Sequence, residues 1–159
     1  MSMAPFYTRF RDLAIRETRS ATVHDDPVIP DGEYGFIELY CDEVNCDCRR
    51  VILNVISATT GNKVWATINY GWEDVEYYEK WTRNKELAQD MVGAALDPLN
   101  IQTRYAPALL ELFEYIIEDP SYVKRLQRHY EMFKADIRKE ARLGDESRKR
   151  RRRSRSVKK

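Results

Sequence analysis

The chain lacks most of the parts on which common enzyme classes depend. Its 159 residues include only two histidines, three cysteines and six glycines. The glycines are scattered, so no glycine-rich loop is available to cradle a phosphate. Neither G-x-S-x-G nor H-E-x-x-H occurs, and two histidines leave few catalytic options. No run of 18 apolar residues is present, which excludes a membrane-spanning helix. Met1 to Arg9 contains no apolar stretch of the kind a secretory signal needs. These absences lead us to expect a soluble, cytoplasmic binding protein ahead of an enzyme.

What is present is charge, unevenly placed. Lysine and arginine number 27 against 26 aspartate and glutamate. Residues 147–159 hold nine of the cations and no acid: Arg148, Lys149, Arg150, Arg151, Arg152, Arg153, Arg155, Lys158 and Lys159. The preceding 146 residues therefore carry 18 basic and 26 acidic groups, a net of −8. Self-repulsion and a single apolar residue, Val157, predict that residues 144–159 form a disordered tail. Nine closely spaced cations suit a polyphosphate, because each neutralised phosphate releases a condensed counterion. Six to nine such contacts on duplex DNA would give a log–log salt slope of about −5 to −8. RNA, DNA or a ribosome is the expected partner. With no aromatic residue to stack on bases, the tail offers affinity without sequence reading. A solubilising tail folded back on the acidic body, an import address, or an adaptor docking on an acidic protein are the alternatives.

The three cysteines fall within eight residues, as Cys41, Cys46 and Cys48. An odd, clustered set argues against a secreted disulfide framework. Three thiolates on one turn can surround a soft cation, and zinc, the expected cofactor as one ion, takes four ligands in structural sites. His129 is the preferred candidate for the fourth. It shares a helical stripe with Tyr122, Leu126, Phe133 and Ile137, where a histidine bonded within the core is the ordinary occupant. His24, in a polar pre-proline loop, is less favoured, and Asp42, Asp47 or a water are further possibilities. Two other readings of the cysteines stay open: inert reduced thiols, or a thiol enzyme or redox switch in which Arg49 and Arg50 activate Cys46 or Cys48.

Hydropathy patterning predicts an α+β fold. A short helix is expected within residues 5–19 and a turn-rich linker at residues 25–32. About three antiparallel strands follow: Tyr34 to Cys41, Arg50 to Ser57 and Lys63 to Tyr70. The second reads as a central strand covered on both faces. The cysteines occupy the first hairpin connection. Helices are expected at Glu73 to Lys85, Glu86 to Leu96 and Tyr105 to Glu118. A last helix is capped by Asp119 with Pro120 at its first position and is stopped by Gly144. Residues 5–143 thus form a single domain: a small sheet covered by C-terminal helices.

The segments Glu33 to Cys41, Cys46-Asp47-Cys48-Arg49-Arg50-Val51, Ala66 to Glu73, Leu96 to Asn100 and Tyr105 to Leu110 together resemble a family of uncharacterised bacterial proteins. Some of its members carry a SEC-C zinc-binding motif at the C-terminus. The resemblance spans about residues 33–133 and implies a metal-binding, cytoplasmic protein with no known reaction. This chain departs from the pattern after residue 143, where the arginine-rich tail stands in place of any C-terminal cysteines.

Overall fold

The computed structural model describes residues 2–100 and 102–158. Lys159, one of the nine tail cations, lies outside them. Six strands form one antiparallel sheet: β1 (Met3–Pro5), β2 (Ser20–Val23), β3 (Gly32–Cys41), β4 (Arg50–Ser57), β5 (Val64–Gly71) and β6 (Gly93–Leu96). β3, β4 and β5 make a meander. β1 and β2 divide the outer edge of β3 between them, β1 beside Leu39–Cys41 and β2 beside Gly32–Gly35. β6 pairs with β5 on the far side.

The expected three strands are the centre of this sheet, and the count of about three is corrected to six. The added strands are only three or four residues long, too short to show alternation. β6 lies where helix was expected. Its Gly-Ala-Ala-Leu sequence favours helix locally, but Gly93 at φ +72° breaks the preceding helix, and pairing with β5 recruits the segment. β4 is also not covered on both faces. Val51, Leu53, Val55 and Ser57 are buried, whereas Arg50, Ile52, Asn54 and Ile56 are half-exposed.

The buried face of the sheet presents Phe36, Glu38 and Tyr40 from β3, Val51, Leu53 and Val55 from β4, and Ala66, Ile68 and Tyr70 from β5. Two helices cover it: α4 (Ala106–Ile116) and α5 (Pro120–Val157), numbered after α1 (Arg11–Glu17), α2 (Val75–Thr82) and α3 (Lys85–Met91). Phe113 of α4 packs its ring 5.8 Å from Phe36 and 5.6 Å from Tyr70, and Phe133 of α5 lies 5.9 Å from Tyr40. Among the described residues no helix is long and apolar enough to cross a membrane.

α5 begins as its sequence predicts, with the Asp119 carboxylate accepting from the Ser121 amide at 3.0 Å and Pro120 opening the helix. Its end is different. Gly144 keeps a helical backbone and the helix runs on to Val157, so the disordered tail is corrected to an exposed extension of α5. A glycine in a helix interior costs only about 1 kcal/mol relative to alanine, and the arginines, lysines and glutamate around it are good helix formers. Among the described residues the last buried one is Ile137, Glu140 still pairs with Arg9 at 2.6 Å, and α5 projects freely beyond about residue 141. At about 1.5 Å per residue the projecting part is roughly 24 Å long.

Candidate metal centre

The connection from β3 to β4 gathers the three cysteines. Cys41 ends β3, Cys46 lies in the turn and Cys48 just precedes β4. One sulfur from each lies within 4.8 Å of the other two. All three are free thiols, Cys41 and Cys48 fully buried and Cys46 partly exposed. Tetrahedral zinc with bonds of about 2.3 Å sets sulfurs about 3.8 Å apart, so small side-chain adjustments would close the cluster on one ion.

The loop is held from two sides by side chains that take its carbonyls. From α2, the Tyr77 hydroxyl donates to the Asp47 carbonyl and the Tyr78 hydroxyl to the Arg49 carbonyl at 2.8 Å. From α5, the Lys134 ammonium donates to the Glu43 carbonyl at 2.8 Å and Arg138 reaches the Val44 carbonyl at 3.4 Å. The Tyr130 hydroxyl donates to Asp47 Oδ1 at 2.9 Å and accepts the Arg49 amide at 3.2 Å. Arg49 sits at φ +48°, a conformation side chains other than glycine seldom take, and these two tyrosines hold it there. Gly71 completes the frame. A β-carbon there would overlap the Met91 carbonyl and the Tyr78 hydroxyl, so glycine lets the α2–α3 hairpin approach the sheet.

Electrostatics disfavour a free thiolate at this cluster. Burial pushes the Cys46 thiol up, and its hydrogen bond with Cys41 and the charge there add to the shift. Burial and then the charges of Cys46 and Cys41 push Cys48 up to about 12. Lys134 opposes both shifts without cancelling them. A nucleophilic cysteine needs the opposite, a lowered value. The arginines expected to activate the thiols are engaged elsewhere. Arg49 pairs with Asp47 at 3.1 Å and Glu73 at 3.2 Å and lies over the Tyr77 ring, while Arg50 bonds the Met91 carbonyl and lies over Tyr78.

His129 is not at the centre. Its Nδ1 lies 2.7 Å from Glu38 Oε1 and its Nε2 lies 2.8 Å from Glu17 Oε2, with the Phe6 ring stacked 4.3 Å away. Both ring nitrogens are therefore committed, and its expected role as fourth ligand is corrected. Helix geometry gives the reason. Tyr130, Lys134 and Arg138 share the face of α5 that meets the loop, and His129 is turned about 100° from it. Asp42 accepts from Ser2 at 3.2 Å. Against the burial that raises it, hydrogen bonds from Arg49 and Tyr130 hold the Asp47 carboxyl below the ordinary range. Neither aspartate joins the sulfur cluster, so among the described residues no histidine or carboxylate supplies a fourth ligand within that 4.8 Å. His24 forms a separate surface group, 3.2 Å from both Asp25 and Asp31, that staples an exposed loop.

Sequence reading missed Lys134, which no solvent reaches. The signal was its position. With Leu126, Tyr130, Phe133 and Ile137 it occupies the apolar stripe of α5, where an unexplained lysine points to a buried partner.

The tail cations Arg148 to Lys158 are all exposed and lie all round the helix, and among the described residues Asp145, beside Arg148, is their one acidic partner. An open groove of about 620 Å³ beside α1, lined by Tyr7, Arg11, Ala14, Ile15, Thr18 and Ile37, is mostly apolar and contains no carboxylate, histidine, cysteine or lysine. Compared with known proteins, the chain matches no family model, no curated protein and no solved structure.

Proposed function

We propose that the chain is a non-enzymatic metal-knuckle protein that presents a cationic helix to a nucleic acid. Cys41, Cys46 and Cys48 hold one zinc ion as thiolates, and the ion locks the sulfurs of a loop that the helices already fix. The observation that carries this reading is the convergence of three sulfurs in a loop whose backbone is fixed by two helices. Burial and the neighbouring sulfurs raise the Cys46 and Cys48 thiols, and a cation among the sulfurs would offset the cost of ionising them there. Metal analysis of full-length protein purified without a histidine tag tests it. About one zinc per chain, lost in Cys46→Ser, is expected, and full metal content in that variant refutes it.

Arg148 to Arg153, Arg155 and Lys158 supply the contact to RNA, DNA or a ribosome in the cytoplasm. What favours a polyanion over a membrane or a packed helix is the absence of any apolar face on this part of α5. Gel shifts compare the full chain with one ending at Gly144. An unchanged affinity and salt slope after truncation removes the tail from the contact.

A further inference from the structure

Lys134 is the one lysine or arginine among the described residues that the fold encloses completely. Its ammonium donates to the Glu43 carbonyl and lies 5.8 Å from the Tyr130 ring centre. Among the described residues no carboxylate oxygen lies within 4.0 Å of it. Burying an ammonium without an opposite charge is expensive. The groups its field reaches are Cys46 and Cys48. As three neutral thiols, the cluster leaves that charge uncompensated.

The charge of the bound centre then discriminates between ions. Zinc binding, written Zn²⁺ + 3 RSH → [Zn(SR)₃]⁻ + 3 H⁺, gives a centre of charge −1 that Lys134 cancels. A monovalent ion gives −2. Trivalent arsenic, written As(OH)₃ + 3 RSH → As(SR)₃ + 3 H₂O, gives a neutral centre and leaves the ammonium unmatched. With three protein ligands, water completes the zinc tetrahedron. We propose that Lys134 is the charge-matching residue of the cysteine knuckle, selecting a divalent thiophilic cation over a trivalent one. This rests on the reading of the cysteines as a metal site.

The test uses the full-length reduced, metal-free chain and three variants. Lys134→Met and Lys134→Gln remove the charge, glutamine keeping an N–H for the Glu43 carbonyl, and Lys134→Arg retains the charge. Zn(II) affinity is measured by competition with a chromophoric chelator, and As(III) affinity by titration with arsenite. The two neutral variants should bind Zn(II) about tenfold or more weakly while As(III) stays within about threefold, and arginine should largely restore zinc. Zinc affinity within about twofold of wild type in both neutral variants overturns the proposal. So does an equal loss of both ions, which marks damage to the loop. A wild-type chain that takes up neither ion refutes the metal site itself, a result distinct from all of these.

Discussion

Replacing His129 by alanine separates its role as a core clamp from its expected role as a metal ligand. The ring has no exposed surface and joins three elements: α5 through its own backbone, β3 through Glu38 and α1 through Glu17. Glu38 is buried as well, and its second oxygen has no hydrogen-bond partner. Removing the imidazole leaves that carboxylate with the Tyr40 hydroxyl, 2.5 Å away, as its remaining side-chain donor. Removing the hydrogen-bond partner of a buried carboxylate costs about 3–5 kcal/mol. At about 2–4 °C per kcal/mol for a chain of this size, the melting temperature should fall by roughly 6–20 °C. Zinc per folded molecule should not change. The double variant Glu38→Leu/His129→Leu should recover more than half of the loss, because neither charge is then stranded. Differential scanning calorimetry and metal analysis read both quantities. A loss below about 1 kcal/mol, or zinc lost in proportion to the histidine, would refute the clamp.

The remaining predictions concern the loop and the tail. Metal-free protein should lose stability as pH rises from about 8.5, where unfolded thiols ionise, toward about 12, where Cys48 does, because the folded chain keeps the protons longer; urea titrations at several pH values should show this slope without zinc and lack it with zinc. Chelation at pH 7 should leave the far-ultraviolet circular dichroism nearly unchanged, since α2 and α5 hold the loop carbonyls independently of the ion, and collapse of the sheet signal would show that the ion holds the loop instead. Tyr130→Phe deletes the donor to Asp47 and the acceptor of the Arg49 amide, and should cost about 1–3 kcal/mol in denaturant melts. Truncation at Gly144 should lower helical ellipticity and leave the melting temperature within about 2 °C, because among the described residues none beyond Ile137 is buried; a larger drop would place the tail against the body.

The meander and the start of α5 were legible because their signals are local: alternation over eight to ten residues, and Asp-Pro at a helix start. The cysteines announced their own cluster through spacing. What could not be read depends on partners distant in sequence. β1 and β2 exist as strands because β3 offers an open edge, and β6 because β5 does. His129 and Lys134 both lie within the buried part of α5, and which of them meets the cysteines depends on the rotation of that helix over the sheet. The tail's helix reflects continuity with a body-packed segment, which composition alone does not reveal.

The order in which the knuckle is completed follows from the chain's own direction. β3, the cysteine loop and β4 are adjacent in sequence and can pair as soon as they are made. Tyr130 and Lys134, which close over the cysteine loop, come more than 80 residues later. During synthesis the thiols are therefore brought together well before they are sheltered, and a chain halted short of α5 leaves them open to solvent. That interval is when their oxidation is easiest, so their protection depends on how promptly the last helix docks.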